Sequence, residues 1–67
     1  MTKFAERLKE LRNDKGLSQA KLAELTGISQ TAISEYELKE KTPSIDVLYI
    51  FCNFFKISAD YLIGLVD

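Results

Sequence analysis

The chain has 67 residues, 46% hydrophobic and 28% charged, a balance that suits one folded domain spanning residues 1–67 and excludes a disordered chain or a second domain. Nine Lys and Arg against ten Asp and Glu give a net charge of −1, so the total carries no sign of a nucleic-acid or membrane-surface binder. With no His and a single Cys, Cys52, the residues for a zinc site, an internal disulfide or a His-dependent triad are missing, and no metal, cofactor or enzyme activity is expected.

The N-terminus, MTKFAERLKE, is charged where a signal peptide would be apolar, and no run of about 18 uncharged apolar residues follows. A cytoplasmic protein with no membrane partner is therefore expected. One Pro, three Gly and no stretch of alternating apolar and polar residues point to an all-α fold. Phe4, Leu8 and Leu11, at i, i+4 and i+7, predict a first helix over Thr2 to Asp14, with Lys3, Glu6, Arg7, Lys9 and Glu10 on its other faces. Gly16 ends it. Ser18 stands where an N-cap belongs, and Leu22 and Leu25 are the buried side of a short second helix that stops at Gly27. Ser29 repeats the cap signal, and Ile33 and Tyr36 give a third short helix its buried side. After a polar loop, Leu38 to Thr42, Pro43 and Ser44 open a fourth helix that is apolar nearly all round, and Ser58 caps a fifth through Tyr61 and Leu62, with Gly64 near its end.

Two short helices joined through a Gly-containing turn, in a chain of five helices, make the helix-turn-helix arrangement that presents its second helix to the DNA major groove. The segment QAKLAELTGISQTAISEYE, residues 19–37, resembles the lambda-repressor-like (xenobiotic-response-element) family of helix-turn-helix domains. TPSIDVLYIFCNFFKISADYLIG looks like the family's fourth and fifth helices, so the likeness covers nearly the whole chain. Each matched position has a physical reason. Ala23 is small where the helices cross, Gly27 suits a left-handed turn, and Ile28, Ile33, Leu22 and Tyr36 fill the angle between them.

The resemblance implies a motif over about 19–38, a recognition helix over about 29–37, double-stranded DNA as partner, and an interior ion pair between Arg12 and Glu37, two residues that read alone are surface charges. With Ile33 and Tyr36 turned inward, Gln30, Thr31, Ser34 and Glu35 share the outer side of the third helix. Gln can bond adenine, Thr can meet the thymine methyl, Ser can bond either way and Glu can accept from cytosine. The family's base readers align with Gln30, Thr31 and Glu35, although Glu35 also has Lys39 as an i+4 partner. Phosphate contacts are expected from Gln19, Lys21 and Ser29 at helix ends and from Lys39, Lys41 and Thr42 in the loop. The loop, LKEKTP, lacks the Asn-Gly that often opens it in the family, and Lys21 replaces a frequent capping-box Glu.

Leu48, Phe51, Cys52 and Phe55 match the family's core positions, leaving Val47, Ile50 and Phe54 as a second apolar stripe that Tyr61, Leu65 and Val66 extend. That stripe is the expected homodimer interface, pairing two recognition helices for a pseudo-palindromic operator. No small-molecule ligand is expected. A second reading is a protein-interaction module on the same fold, since residues 29–37 hold Glu35 and Glu37 and no base. The near-neutral charge is uneven: residues 1–21 carry six bases and three acids, a net +3, and residues 22–67 carry three bases and seven acids, a net −4.

Overall fold

Serines set where the helices begin. In the computed structural model, which describes residues 3–67, the hydroxyls of Ser18, Ser29, Ser44 and Ser58 accept from the backbone N–H three residues on, at 3.0, 3.1, 3.2 and 3.1 Å. They open α2 (Gln19–Thr26), α3 (Gln30–Glu37), α4 (Ile45–Phe55) and α5 (Ala59–Ile63). The first helix, α1 (Phe4–Asp14), starts from Lys3 without a side-chain cap, and Thr2, its expected first residue, lies outside the described residues. Left-handed residues end three of the helices: Gly27 after α2, Lys56 after α4 and Gly64 after α5. All regular elements among the described residues are helical, as the sequence pattern predicts.

The core is built from all five helices and the α2–α3 turn: Phe4 and Leu8, Leu22, Ile28, Ile33 and Tyr36, Phe51 and Phe55, and Leu62. Its centre is aromatic, with Phe4 edge-on to Tyr36 at 5.7 Å and Tyr36 edge-on to Phe51 at 6.3 Å between ring centroids. Helix α1 packs on α3 and α5, α2 on α3 and α4, and α4 on α5. The α2–α3 pair is thereby held between α1 and α4.

Three expectations fail for identifiable reasons. Leu25 is half exposed, because the turn at Gly27 folds Ile28 back into the space beneath α2. Thr26 braces that turn, its hydroxyl donating to the Leu22 carbonyl at 2.7 Å and accepting from Ile28 N–H at 3.3 Å. Arg7, read as a surface residue of α1, is buried: its guanidinium donates to the Tyr61 carbonyl and, at 2.6 Å, to the Val66 carbonyl, and lies 4.2 Å from the centre of the Tyr61 ring. On α4, only Phe51 and Phe55 of the four expected core residues are buried; Leu48 and Cys52 are half-buried at the edge.

Candidate nucleic-acid interface

Gly27 (φ +78°) and Ser29 turn the chain between α2 and α3 within three residues. A Cβ at Gly27 would meet nothing within 4 Å, so the turn demands glycine for its backbone angle and not for room. Beyond it α3 buries Ile33 and Tyr36 and turns its other side outward. Gln30 and Thr31 are exposed there, and Ser34 and Glu35 are half-buried. These four residues line one groove of about 450 Å³ with Gln19 and Glu40. Ser29 Oγ takes the Ala32 N–H, so the donors of the first turn of α3 that remain for an anion are the backbone N–H groups of Gln30 and Thr31.

A charged network beside the groove, sharing Gln19 with it, ties α1, α2 and α3 together. Arg12 grips Glu37 through two bonds, Nε to Oε2 at 2.7 Å and Nη2 to Oε1 at 3.0 Å, and its Nη1 donates to the Leu17 carbonyl at 2.7 Å. The two side chains are only 11% and 5% exposed, so the pair is interior, as the resemblance implies. Gln19 Nε2 donates to Glu37 Oε1 at 3.1 Å, which ties the start of α2 to the end of α3. Burial pushes the Glu37 carboxyl up, but the bonds from Arg12 and Gln19, with the charges of Arg12 and Lys9, outweigh it and hold its pKa below the usual value. The bond to Glu37 raises the already high Arg12 pKa, against the opposing effect of burial. Burial likewise pushes the Cys52 thiol up.

The expected phosphate contacts do not share one site. Gln19 lines the groove, with its amide nitrogen committed to Glu37. Lys21 Nζ lies 3.3 Å from Glu24, and Ser29 is occupied as a cap. Lys39, Lys41 and Thr42 lie on a separate hollow of about 300 Å³ with Phe4, Ala5, Tyr36 and Pro43. The i+4 pairing of Glu35 with Lys39 is not made. The helix ends at Glu37, Lys39 takes a left-handed conformation (φ +64°), and its Nζ points instead toward Glu6, 3.9 Å away.

Glu40 escaped the sequence reading. It enters the groove because the loop folds back on α3, Glu40 N–H donating to the Glu35 carbonyl at 2.9 Å, and no Gly or Asn at Lys39 announces that turn. Of the expected interface residues, Val47, Ile50 and Phe54 are half-buried against the core, Tyr61 lies under Arg7, and Leu65 is exposed. The large side chains most exposed on α4 are Ile45 and Tyr49, which the sequence reading assigned to no interface. Among the described residues no group of three or more His, Cys, Asp or Glu is placed to hold a metal ion, and no helix is long and apolar enough to cross a membrane.

A helix-turn-helix family model (HTH_3) matches residues 8–62. The chain is 36% identical over 64 residues to the uncharacterized HTH-type transcriptional regulator YobD of Bacillus subtilis, covering 96% of this chain and 57% of that protein. It is 35% identical over 60 residues to the SPbeta prophage-derived regulator YonR of the same organism, covering 90% and 56%. It is 38% identical over 61 residues to the transcriptional activator BcrR of Enterococcus faecalis, covering 91% and 30%. The chain therefore spans little more than half the length of the first two of these relatives, and less of the third. With the family match over most of its length and the fold to go with it, the chain belongs to the Cro/C1-type helix-turn-helix family.

Proposed function

We propose that this chain is a sequence-specific DNA-binding transcriptional regulator of the phage or mobile-element repressor type, reading a pseudo-palindromic operator as a homodimer. The observation that carries the reading is the groove on α3, where Gln30, Thr31, Ser34 and Glu35 lie side by side on a helix braced by Arg12, Glu37 and Gln19. Residues 1–67 act as one domain, and its setting is the cytoplasm or nucleoid. Gln30 bonds an adenine edge, Thr31 meets a thymine methyl, Ser34 bonds either way, and Glu35 accepts from a cytosine amino group. Phosphates are held by the N-terminal ends of α2 and α3, near Gln19, Lys21 and Ser29, and on the flank by Lys39, Lys41 and Thr42. A prophage-derived relative supports the phage or mobile-element type, while another relative, BcrR, is an activator by name.

A protein-interaction module on the same scaffold is the second reading, and one observation favours it: the groove holds two carboxylates, Glu35 and Glu40, and no Lys or Arg. Selection of bound sequences from random duplex DNA tests the first reading. Enrichment of a two-fold symmetric site, with half-sites about 10 base pairs apart, is the expected result. No enrichment over several rounds would favour the protein partner.

A further inference from the structure

Five residues of α4 and its C-cap are exposed: Ile45, Asp46, Tyr49, Asn53 and Lys56. At 100° per residue the four within α4 occupy one sector about 100° wide, bordered by half-buried Leu48 and Cys52 on one side and Ile50 on the other, and Lys56 follows at the left-handed C-cap. Ile45 and Tyr49 are 84% and 68% exposed, a large apolar area for a helix with its own core to fill. The charges on this face are separated by sign, with Asp46 in the first turn and Lys56 at the C-cap. Neither makes an ion pair among the described residues.

We propose that a second copy of the chain docks on this face, α4 against α4 and antiparallel, about a two-fold axis level with Phe51. The inference rests on the dimeric reading above and moves the partner face away from Val47 and Phe54, which belong largely to the core. Asp46 and Lys56 stand equally far from that axis, about 7.5 Å along the helix in opposite directions. The symmetry therefore brings each Asp46 level along the helix with the Lys56 of the other copy, within reach of its long side chain. Tyr49 is set against the other copy's Asn53 in the same way, a phenol and an aromatic face against an amide. A parallel arrangement would oppose Asp46 to Asp46 and Lys56 to Lys56, and would align the helix dipoles unfavourably. The face is complementary to itself in one orientation only. Two three-turn helices cover less than the roughly 1,200 Å² at which stable interfaces begin, so the free protein associates weakly and adjacent half-sites complete the dimer.

Sedimentation equilibrium at low salt and NMR-level concentration tests the proposal on the wild type, Asp46→Lys, Lys56→Asp and an equimolar mixture of the two variants. Asp tolerates the left-handed backbone of position 56 (φ +59°) better than most residues, and circular dichroism checks that helix content is kept. Each variant alone is expected to associate about tenfold more weakly than wild type, since two attractions become two repulsions. The mixture recovers wild-type association, because each new lysine at 46 meets a new aspartate at 56. A wild type monomeric throughout, single variants that associate as wild type does, or a mixture no stronger than its components would each overturn it. Should either variant unfold, Ile45→Lys with Tyr49→Lys replaces it: lost association with helicity intact supports the interface, and retained association refutes it. Operator binding by a monomeric wild type would remove this interface and leave the DNA reading standing, whereas a dimer with no affinity for any duplex would do the reverse.

Discussion

Gln30 is the first residue of α3, exposed and aimed into the groove, where its amide has the bidentate geometry for adenine N6 and N7. Gln30→Ala is expected to cost about 1–3 kcal/mol in operator affinity and to relax preference at one base pair. Binding isotherms on single-base operator variants check this, since equal loss on every sequence would make Gln30 a phosphate contact. Glu40 sits in the same groove and repels phosphate without having been anticipated, so Glu40→Gln should strengthen binding to all duplexes, more at low salt than at high. The four α3 residues were legible because helical spacing alone assigns their side once Ile33 and Tyr36 are placed inward. Glu40 was not, because its position depends on a left-handed Lys39, a conformation that residue type does not signal.

Helix boundaries were read correctly wherever a serine supplied a capping oxygen, a local interaction between residues three apart. Faces were harder, as Leu25 shows, because its exposure follows from where the next turn places Ile28. The Arg12–Glu37 pair needed the family resemblance, since the residues lie 25 apart in sequence and neither announces burial. Glu37→Gln leaves the Arg12 guanidinium without its counter-charge. It should destabilise the fold by about 3 kcal/mol, the low end for a buried pair, because Arg12 keeps its bond to the Leu17 carbonyl. Glu37 has a lower pKa folded than unfolded. It therefore stabilises the fold fully above its unfolded value of about 4.3, and that contribution is lost as pH falls through the folded value. Urea titrations from pH 6 to 3 should show the wild type losing stability across that window and Glu37→Gln losing less. At the end of α3, Lys39→Gly relieves the left-handed backbone and should add about 0.5–1 kcal/mol of stability while weakening DNA binding. Opposite signs in melting and affinity would separate the loop's conformational role from its charge.

At the scale of the whole molecule, Arg7 joins the chain's two ends. From α1 it holds the carbonyls of Tyr61 and Val66, and α5 has only five residues of its own. Its charged neighbours in sequence gave no hint of burial, because an arginine that serves backbone carbonyls far along the chain has no local pattern. The uneven charge belongs to this scale too. Bases concentrate in residues 1–21 and acids in the rest, so the proposed reading predicts few neutralised phosphates and an affinity that depends on two copies acting together. The most direct measurement is fluorescence anisotropy of the protein on an operator selected from random DNA, repeated over a range of salt concentrations. Saturable binding is expected, stronger than to a scrambled duplex, with log K falling against log salt by roughly 0.9 for each phosphate neutralised and with a shallow total slope. Equal affinity for selected and scrambled duplexes, or no binding even at low salt, would contradict the assignment of α3 as a reader of DNA sequence.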